Sequence, residues 1–399
     1  MIFDRDSAFI LFLLTLPFQY NLITDSLDLI ISDMKNGRIT GLSYYQNYFA
    51  KKIIMYCAII STISFIFIFY KYRKVKLIIS ISFFVNGITW LIYFGVTDNT
   101  IYVLYIIRAL QGFCLGIFQM IDIPYIMHFA KSTKQSFCGC LIQFSMFCGL
   151  FIMNLLFNFF NWKTVVIIFF LFSVFCGCLI WKVPELPIKP KSMTNEHIYH
   201  KEHIKPIFVM MTIMLLQQLS GITILLTQLS EMLVGIGVNI GEHLQTCLFD
   251  FVGALATMIA AFVSSAVSTR ILWAFSALGL CIGLTIYCIS IKTDTANWVG
   301  ILGAFFYFLF YGLGEGPIPW YLCGTMFNDN VRIESSGINL CWNHFLAPII
   351  DLIWDKLDDF GSQFGSIIFA IISCFIAIFF GLVFIPNDKS ISIGDSTIM

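Results

Sequence analysis

The feature that most constrains this chain is a series of apolar stretches of about twenty residues, the length that spans the hydrocarbon core of a bilayer as a helix. Of its 399 residues, 59% are apolar and only 12% are charged. A soluble domain usually carries about 25% charged residues. The sequence therefore predicts an all-α polytopic membrane protein, with no soluble domain of useful size between the spans.

Twelve transmembrane spans are predicted. Their approximate bounds are 8–31, 46–70, 76–96, 101–129, 136–160, 164–182, 205–233, 243–267, 271–291, 296–327, 336–354 and 362–385. With the N-terminus in the cytoplasm, fifteen Lys and Arg residues fall inside and seven outside. That distribution follows the positive-inside rule and places both termini in the cytoplasm. The first apolar run is longer than the core of a signal peptide, so no cleavable signal is expected.

The longest polar segment separates the first six spans from the last six. The predicted domains are an N-terminal six-helix half (1–183), a short cytoplasmic linker (184–204), a C-terminal six-helix half (205–386) and a short cytoplasmic tail (387–399). Two helical halves around a central path form one of the architectures of membrane transporters. The formal net charge is zero, which gives no indication of a nucleic-acid partner.

The tenth span is interrupted in its middle, where residues 312–320 read GLGEGPIPW. Pro317 and Pro319 each remove a backbone donor. Carbonyl groups freed in this way are tolerated at membrane depth mainly where the chain lines a cavity. The break therefore marks a candidate transport path. Trp320, which follows it, would stack on the apolar face of a ligand or simply pack beside the kink.

Four amide side chains lie in otherwise apolar spans: Gln143, Gln217, Gln218 and Asn343. An amide both donates and accepts hydrogen bonds, as a sugar hydroxyl does. Each amide taken singly is more often a hydrogen bond between helices than a substrate contact.

Charged residues inside a membrane are functional candidates by default. The spans contain Arg108, Asp122, Asp250 and Glu315. For Asp250 and Glu315 the sequence leaves three roles open: a proton site, an ion-pair partner for Arg108, or a structural acceptor. Most of the thirteen cysteines lie inside spans, which favours buried thiols over disulfides. No metal site and no cofactor are predicted.

Four motifs resemble signatures of the sugar porter family of the major facilitator superfamily. Residues 216–222 (LQQLSGI) look like its Q-Q-L-S-G-I-N, and residues 316–320 match its G-P-I-P-W. Residues 183–187 (VPELP) are similar to its P-E-S-P-R, and residues 385–389 (IPNDK) to its P-E-T-K. Each motif lies at the family's place in the topology, so the resemblance covers the whole chain.

The resemblance implies the major facilitator fold and facilitative transport of a monosaccharide, a hexose, by alternating access rather than catalysis. It implies a sugar site formed by Gln143, Gln217, Gln218, Thr223, Trp320 and Asn343. Gating or coupling roles fall on Asn21, Arg108, Asp250, Glu315, Pro317 and Pro319. The expected surroundings are a lipid bilayer, with the plasma membrane as the family default.

Several positions depart from the family pattern. In proton symporters of the family, the position of Asn21 resembles an aspartate, which can take up a proton. The amide of Asn21 does not titrate in the working range. Thr223 replaces an asparagine, Thr325 a glutamate and His344 a tryptophan. The alternatives to a facilitator are a proton-coupled symporter of a sugar or polyol, a sugar sensor that binds without much transport, and a transporter of another polar solute. The short segment after Pro386 argues against a sensor with a long signalling tail.

Overall fold

The computed structural model describes residues 5–35, 42–188, 197–222, 225, 242–293, 297–361 and 363–386. Helices dominate these residues. The first six are α1 (Arg5–Leu13 continuing as Thr15–Lys35), α2 (Tyr44–Tyr72), α3 (Val75–Ile92), α4 (Ile101–Phe129), α5 (Gln135–Phe159) and α6 (Trp162–Leu179). The second six are α7 (Lys201–Leu219), α8 (Glu242–Val263), α9 (Thr269–Thr293), α10 (Asn297–Phe310 and, after a break, Ile318–Thr325), α11 (Arg332–Gly361) and α12 (Gln363–Phe384).

Ten of these helices are long and apolar enough to cross a membrane. The other two are α7 and α11. Only the first part of the seventh predicted span lies in the described residues, and α11 carries charged side chains such as Glu334, Asp351 and Lys356. The described helices overlap the twelve predicted spans, and the all-α fold class is confirmed.

The helices pack as two sets of six. In the first set α2 packs on α4, α3 on α6 and α1 on α5. In the second set α9 packs on both α10 and α12, and α7 packs on α11. The two sets meet along α5 with α8 and along α2 with α11, and the segment after the break of α10 also contacts α4 and α5.

Because successive spans cross the bundle in opposite directions, the connections gather at two ends. We call the end with the α2–α3, α4–α5, α6–α7, α8–α9 and α10–α11 connections the linker end, and the other the distal end. The distal end has the α1–α2, α3–α4, α5–α6 and α9–α10 connections.

Large apolar side chains cover the outside of the bundle. Phe67, Leu171 and Phe262 are all more than half exposed. Polar side chains such as Gln111, Gln217 and Asn343 are buried between helices. This distribution suits a protein whose surroundings are lipid tails, where apolar side chains face outward at no cost and polar ones find partners inside.

Candidate functional site

The break in α10 is a five-residue π-helical turn, Tyr311–Glu315, followed by Gly316 and Pro317. The Gly316 N–H donates to the Tyr311 carbonyl oxygen at 2.8 Å, five residues earlier. The second helical segment then begins at Ile318, with Pro317 as its N-cap and Pro319 in its first turn. The chain thus changes direction without a loop, and single π turns of this kind often occur at functional sites.

Gln217 supplies the hydrogen bonds that the break lacks. In a continuous helix the Glu315 carbonyl would accept from the nitrogen of residue 319, but Pro319 has no N–H. The Gln217 Nε2 donates instead to the Glu315 carbonyl oxygen at 2.7 Å and to the Gly316 carbonyl oxygen at 3.0 Å. The predicted substrate contact therefore bonds the backbone of α10.

Gln143 faces the same break from α5. Residues four apart lie on one face of a helix, so Gly139, Gln143 and Phe147 form one stripe. At Gly139 an added β-carbon would lie 3.0 Å from the Cγ of Tyr321, which follows the break. The Phe147 ring packs edge-on against Tyr311 at the start of the break, 6.3 Å between centroids. The amide of Gln143 thus lies between these two contacts.

The Gln143 side chain is buried, and its Oε1 has no hydrogen-bond partner among the described residues. Leaving a buried acceptor unpaired costs about 1–3 kcal/mol. A ligand hydroxyl between α5 and α10 would satisfy this oxygen.

The other predicted site residues have separate positions. Asn343 on α11 donates from Nδ2 to the Met214 Sδ of α7 at 3.0 Å. Gln218 and Trp320 are buried. Thr223 lies outside the described residues. No described hydrogen bond joins Gln143 directly to Gln217 or to Asn343.

Two of the predicted gating residues tie together helices of the first half. Asn21 on α1 donates from Nδ2 to the Met146 carbonyl oxygen of α5 at 2.7 Å. Arg108 on α4 donates to the carbonyl oxygens of Ile23 and Thr24 on α1 and of Ala50 on α2, and also to the Gln111 side chain. These bonds hold α1 and α2 against α4, and α1 against α5.

The two acids of the second half do not bond Arg108. Asp250 on α8 accepts from the Asn154 Nδ2 of α5 at 2.9 Å, across the junction between the halves. Glu315 is fully buried, and its backbone N–H donates to the Ser276 Oγ at 2.8 Å.

Sequence reasoning gave no role to three polar features. His344 on α11 bonds the Gln119 Oε1 of α4 at 2.9 Å, so the two halves share a hydrogen bond near the path. Asn339, one turn from Asn343, is buried and both of its amide atoms lack a partner in the described part of the chain. Lys52 on α2 forms an ion pair with Asp351 on α11. His344, Asn339 and Asp351 could have been singled out from the sequence, because each is a polar residue in an apolar span.

Near the linker end, the second segment of α10 packs directly on α4. A β-carbon added at Gly324 would lie 2.9 Å from side-chain carbons of both Ile123 and Met127 on α4. The second segment of α10 therefore rests on α4 without space between the two backbones.

Comparison with known proteins identifies the family. Residues 189–396 match the family described as sugar (and other) transporter. The facilitated trehalose transporter Tret1 of Drosophila pseudoobscura pseudoobscura is 25% identical over 202 residues, which are 49% of this chain and 23% of that protein. Tret1 of Apis mellifera ligustica is 24% identical over 166 residues, 40% of this chain and 33% of that protein. The match thus spans less than a quarter of the length of the first relative and a third of the length of the second.

Solved structures share the fold. The proton:xylose symporter XylE bound to 6-bromo-6-deoxy-D-glucose superposes with a TM-score of 0.78 at 16% identity, over 96% of this chain and 97% of that one. The inward open conformation of XylE from E. coli gives a TM-score of 0.70 at 16% identity, over 96% and 98% of the two chains. Because the family match covers more than half of the sequence, the chain belongs to the sugar transporter family of the major facilitator superfamily.

Proposed function

We propose that this protein carries a monosaccharide of the hexose class across a membrane by alternating access, without proton coupling. The sugar lies between the halves, where α5 and α7 meet the break of α10. No covalent chemistry takes place, and rocking of one half against the other exposes the site to each side in turn.

The observation that carries this proposal is the unpaired Oε1 of Gln143, which is buried beside the break. A pyranose hydroxyl can donate to this oxygen and accept from a neighbouring amide N–H. Trp320 is buried next to the same break and offers a broad ring for the apolar face of a sugar. A hydrophobic solute would leave the amide unpaired.

The domain arrangement follows from the same proposal. Residues 1–183 and 205–386 are the two rocking halves, and residues 184–204 join them. The excess of basic residues at the linker end supports a cytoplasmic location for that end, and the plasma membrane is the location proposed. The predicted tail, 387–399, lies outside the described residues.

Uptake into proteoliposomes tests the function. The purified protein is assayed with labelled glucose, fructose, xylose, trehalose and a polyol. We expect saturable uptake of a hexose. Uptake confined to trehalose or to the polyol would replace the hexose by that substrate, and no uptake of any would refute sugar transport.

A pair of leucine variants on the same helix tests the site. Gln143→Leu removes the free acceptor and should raise the half-saturating sugar concentration roughly ten-fold or more, since an unpaired sugar hydroxyl costs about 1–3 kcal/mol. Gln135→Leu is the matched control at the linker end of α5 and should leave that concentration unchanged. Equal values for parent and Gln143→Leu would exclude Gln143 as a contact.

Proton-coupled transport is the second candidate, and the fully buried Glu315 carboxyl favours it. Under that alternative a pH gradient drives sugar above its equilibrium concentration, a protonophore abolishes the accumulation, and Glu315→Gln does the same. Under facilitated transport the final sugar concentration is equal on both sides with or without the gradient.

A further inference from the structure

Two polar contacts join the halves in the distal part of the bundle. Lys52 on α2 forms an ion pair with Asp351 on α11, and the Lys52 side chain is only 8% exposed. Asn154 on α5 donates to Asp250 on α8 at 2.9 Å, and both side chains are buried. The two contacts use four different helices and lie at the two seams where the halves meet.

These contacts join corresponding helices of the two halves. Halves of a major facilitator protein are parallel repeats related by an axis along the membrane normal, so that α2 corresponds to α8 and α5 to α11. Lys52 and Asp250 thus lie on one pair of corresponding helices, and Asn154 and Asp351 lie on the other. Asn154 and Asp351 each lie nineteen residues after the start of their helices.

The two seams between corresponding helices thus each carry a pair of complementary polar groups. The pairs differ chemically, one an ion pair and the other an amide with a carboxylate. Polar pairs inside a membrane are costly when broken, because each partner is left without a hydrogen bond in apolar surroundings.

We propose that Lys52–Asp351 and Asn154–Asp250 are a symmetric pair of clasps that hold the distal end of the transport path closed. The proposal rests on alternating access as the proposed function. Rocking opens the distal end only by moving α2 away from α11 and α5 away from α8. Both clasps must then break, and their loss favours the state that is open at the distal end.

A native thiol reports the opening without any sugar. Cys247 lies on α8, less than one turn before Asp250, and is 3% exposed. Its Sγ donates to the Phe151 carbonyl oxygen of α5 at 3.8 Å, across the same seam. A water-soluble maleimide reaches this thiol only when α5 and α8 separate at the distal end.

The experiment breaks the clasp on one seam and reads the thiol on the other. The full chain in lipid nanodiscs is treated with the maleimide, and the labelling rate of Cys247 is obtained by subtracting the rate of Cys247→Ser in the same background. Lys52→Met and Asp351→Asn should each raise the rate roughly ten-fold, as expected for an ion pair broken by loss of one partner at a partly exposed site.

Two further variants separate the clasp from local damage. Lys52→Arg keeps the charge, and the exchange of Lys52→Asp with Asp351→Lys keeps the pair. Both should label at the parent rate. Because the altered residues lie on α2 and α11, a change at Cys247 reflects movement of the halves.

The proposal is overturned if Lys52→Met and Asp351→Asn label like the parent, or if Lys52→Arg and the exchanged pair label as fast as Lys52→Met. A protein that transports no sugar but shows the expected labelling would refute the proposed function and leave the clasps in place. Sugar uptake with unchanged labelling would leave the proposed function in place and refute the clasps.

Discussion

At the scale of single residues, the main result is that the Gln217 side chain forms hydrogen bonds with the backbone of α10. The sequence predicts a sugar contact at this position, and the structure gives its Nε2 two backbone acceptors in α10. One of them, the Glu315 carbonyl, is the group that Pro319 leaves without a helical donor. Gln217 thus makes the break tolerable in a membrane, and we propose that its Oε1 meets a sugar hydroxyl.

This assignment predicts coupling between Gln217 and Pro319. Gln217→Ala leaves buried carbonyls unpaired and should lower the free energy of unfolding by about 1–3 kcal/mol. Pro319→Ala restores an N–H that can reach the Glu315 carbonyl. The decrease in the free energy of unfolding caused by Gln217→Ala should therefore be smaller by about 0.5–1.5 kcal/mol in the Pro319→Ala background. Unfolding of the four proteins of this cycle in mixed micelles measures the difference.

Pro317→Ala is the matched control for the cycle. In a continuous helix the nitrogen of residue 317 would donate to the carbonyl of Leu313. Neither hydrogen bond of the Gln217 amide goes to that carbonyl. Gln217→Ala should therefore cost as much in the Pro317→Ala background as in the parent. An equal cost in all three backgrounds would contradict the role given to Gln217.

Asn21 gives a second prediction at this scale. Its amide donates to the Met146 carbonyl oxygen, and an aspartate can make that bond only while protonated. Asn21→Asp should therefore transport at low pH and lose activity as the pH rises, while the parent changes little over the same range. Initial uptake rates between acidic and neutral pH test this. A flat profile for the variant would show that the bond to α5 has no part in transport.

At the scale of elements, the break in α10 separates two segments with different attachments. Before it, β-carbons added at Gly312 and Gly314 would lie 2.7 Å and 2.6 Å from the β-carbons of Ala256 on α8 and Ser276 on α9, so this part is fixed to the second half. After it, Ile318–Thr325 contacts α4 and α5 of the first half as well as α7 and α11 of the second. We infer that a hinge at the break lets the second segment move with the first half.

Replacing Pro317 and Pro319 together with alanine should therefore slow transport more than binding. Alanine favours a continuous helix, which stiffens the hinge while leaving Gln143 and Asn343 unchanged. Maximal flux should fall while equilibrium sugar affinity changes little. Both quantities are measured on the same purified variant. Unchanged maximal flux, or lost affinity with normal turnover per folded molecule, would remove the hinge from the transport cycle.

At the scale of the whole molecule, the sequence was sufficient for the fold. Apolar length and basic-residue placement define the spans, and the motifs at 216–222 and 316–320 identify the family. Contacts between halves were not predictable, because they depend on which faces of distant helices meet. Asp250 was recognisable as an intramembrane acid, but nothing in its neighbourhood of the chain points to Asn154. The π turn was hidden for a similar reason, since it begins at Tyr311, before the prolines that signal a break.

We propose that the two halves expose one sugar site to each side of the membrane in turn, never to both at once, and that no ion is coupled to this movement. Counterflow in proteoliposomes tests it most directly. Vesicles preloaded with unlabelled hexose at uniform pH are diluted into labelled hexose, with a protonophore present throughout. The account predicts that labelled sugar enters faster than into empty vesicles, rises transiently above its outside concentration, and then equalises. Entry at the same rate into loaded and empty vesicles, with no transient excess, would contradict it.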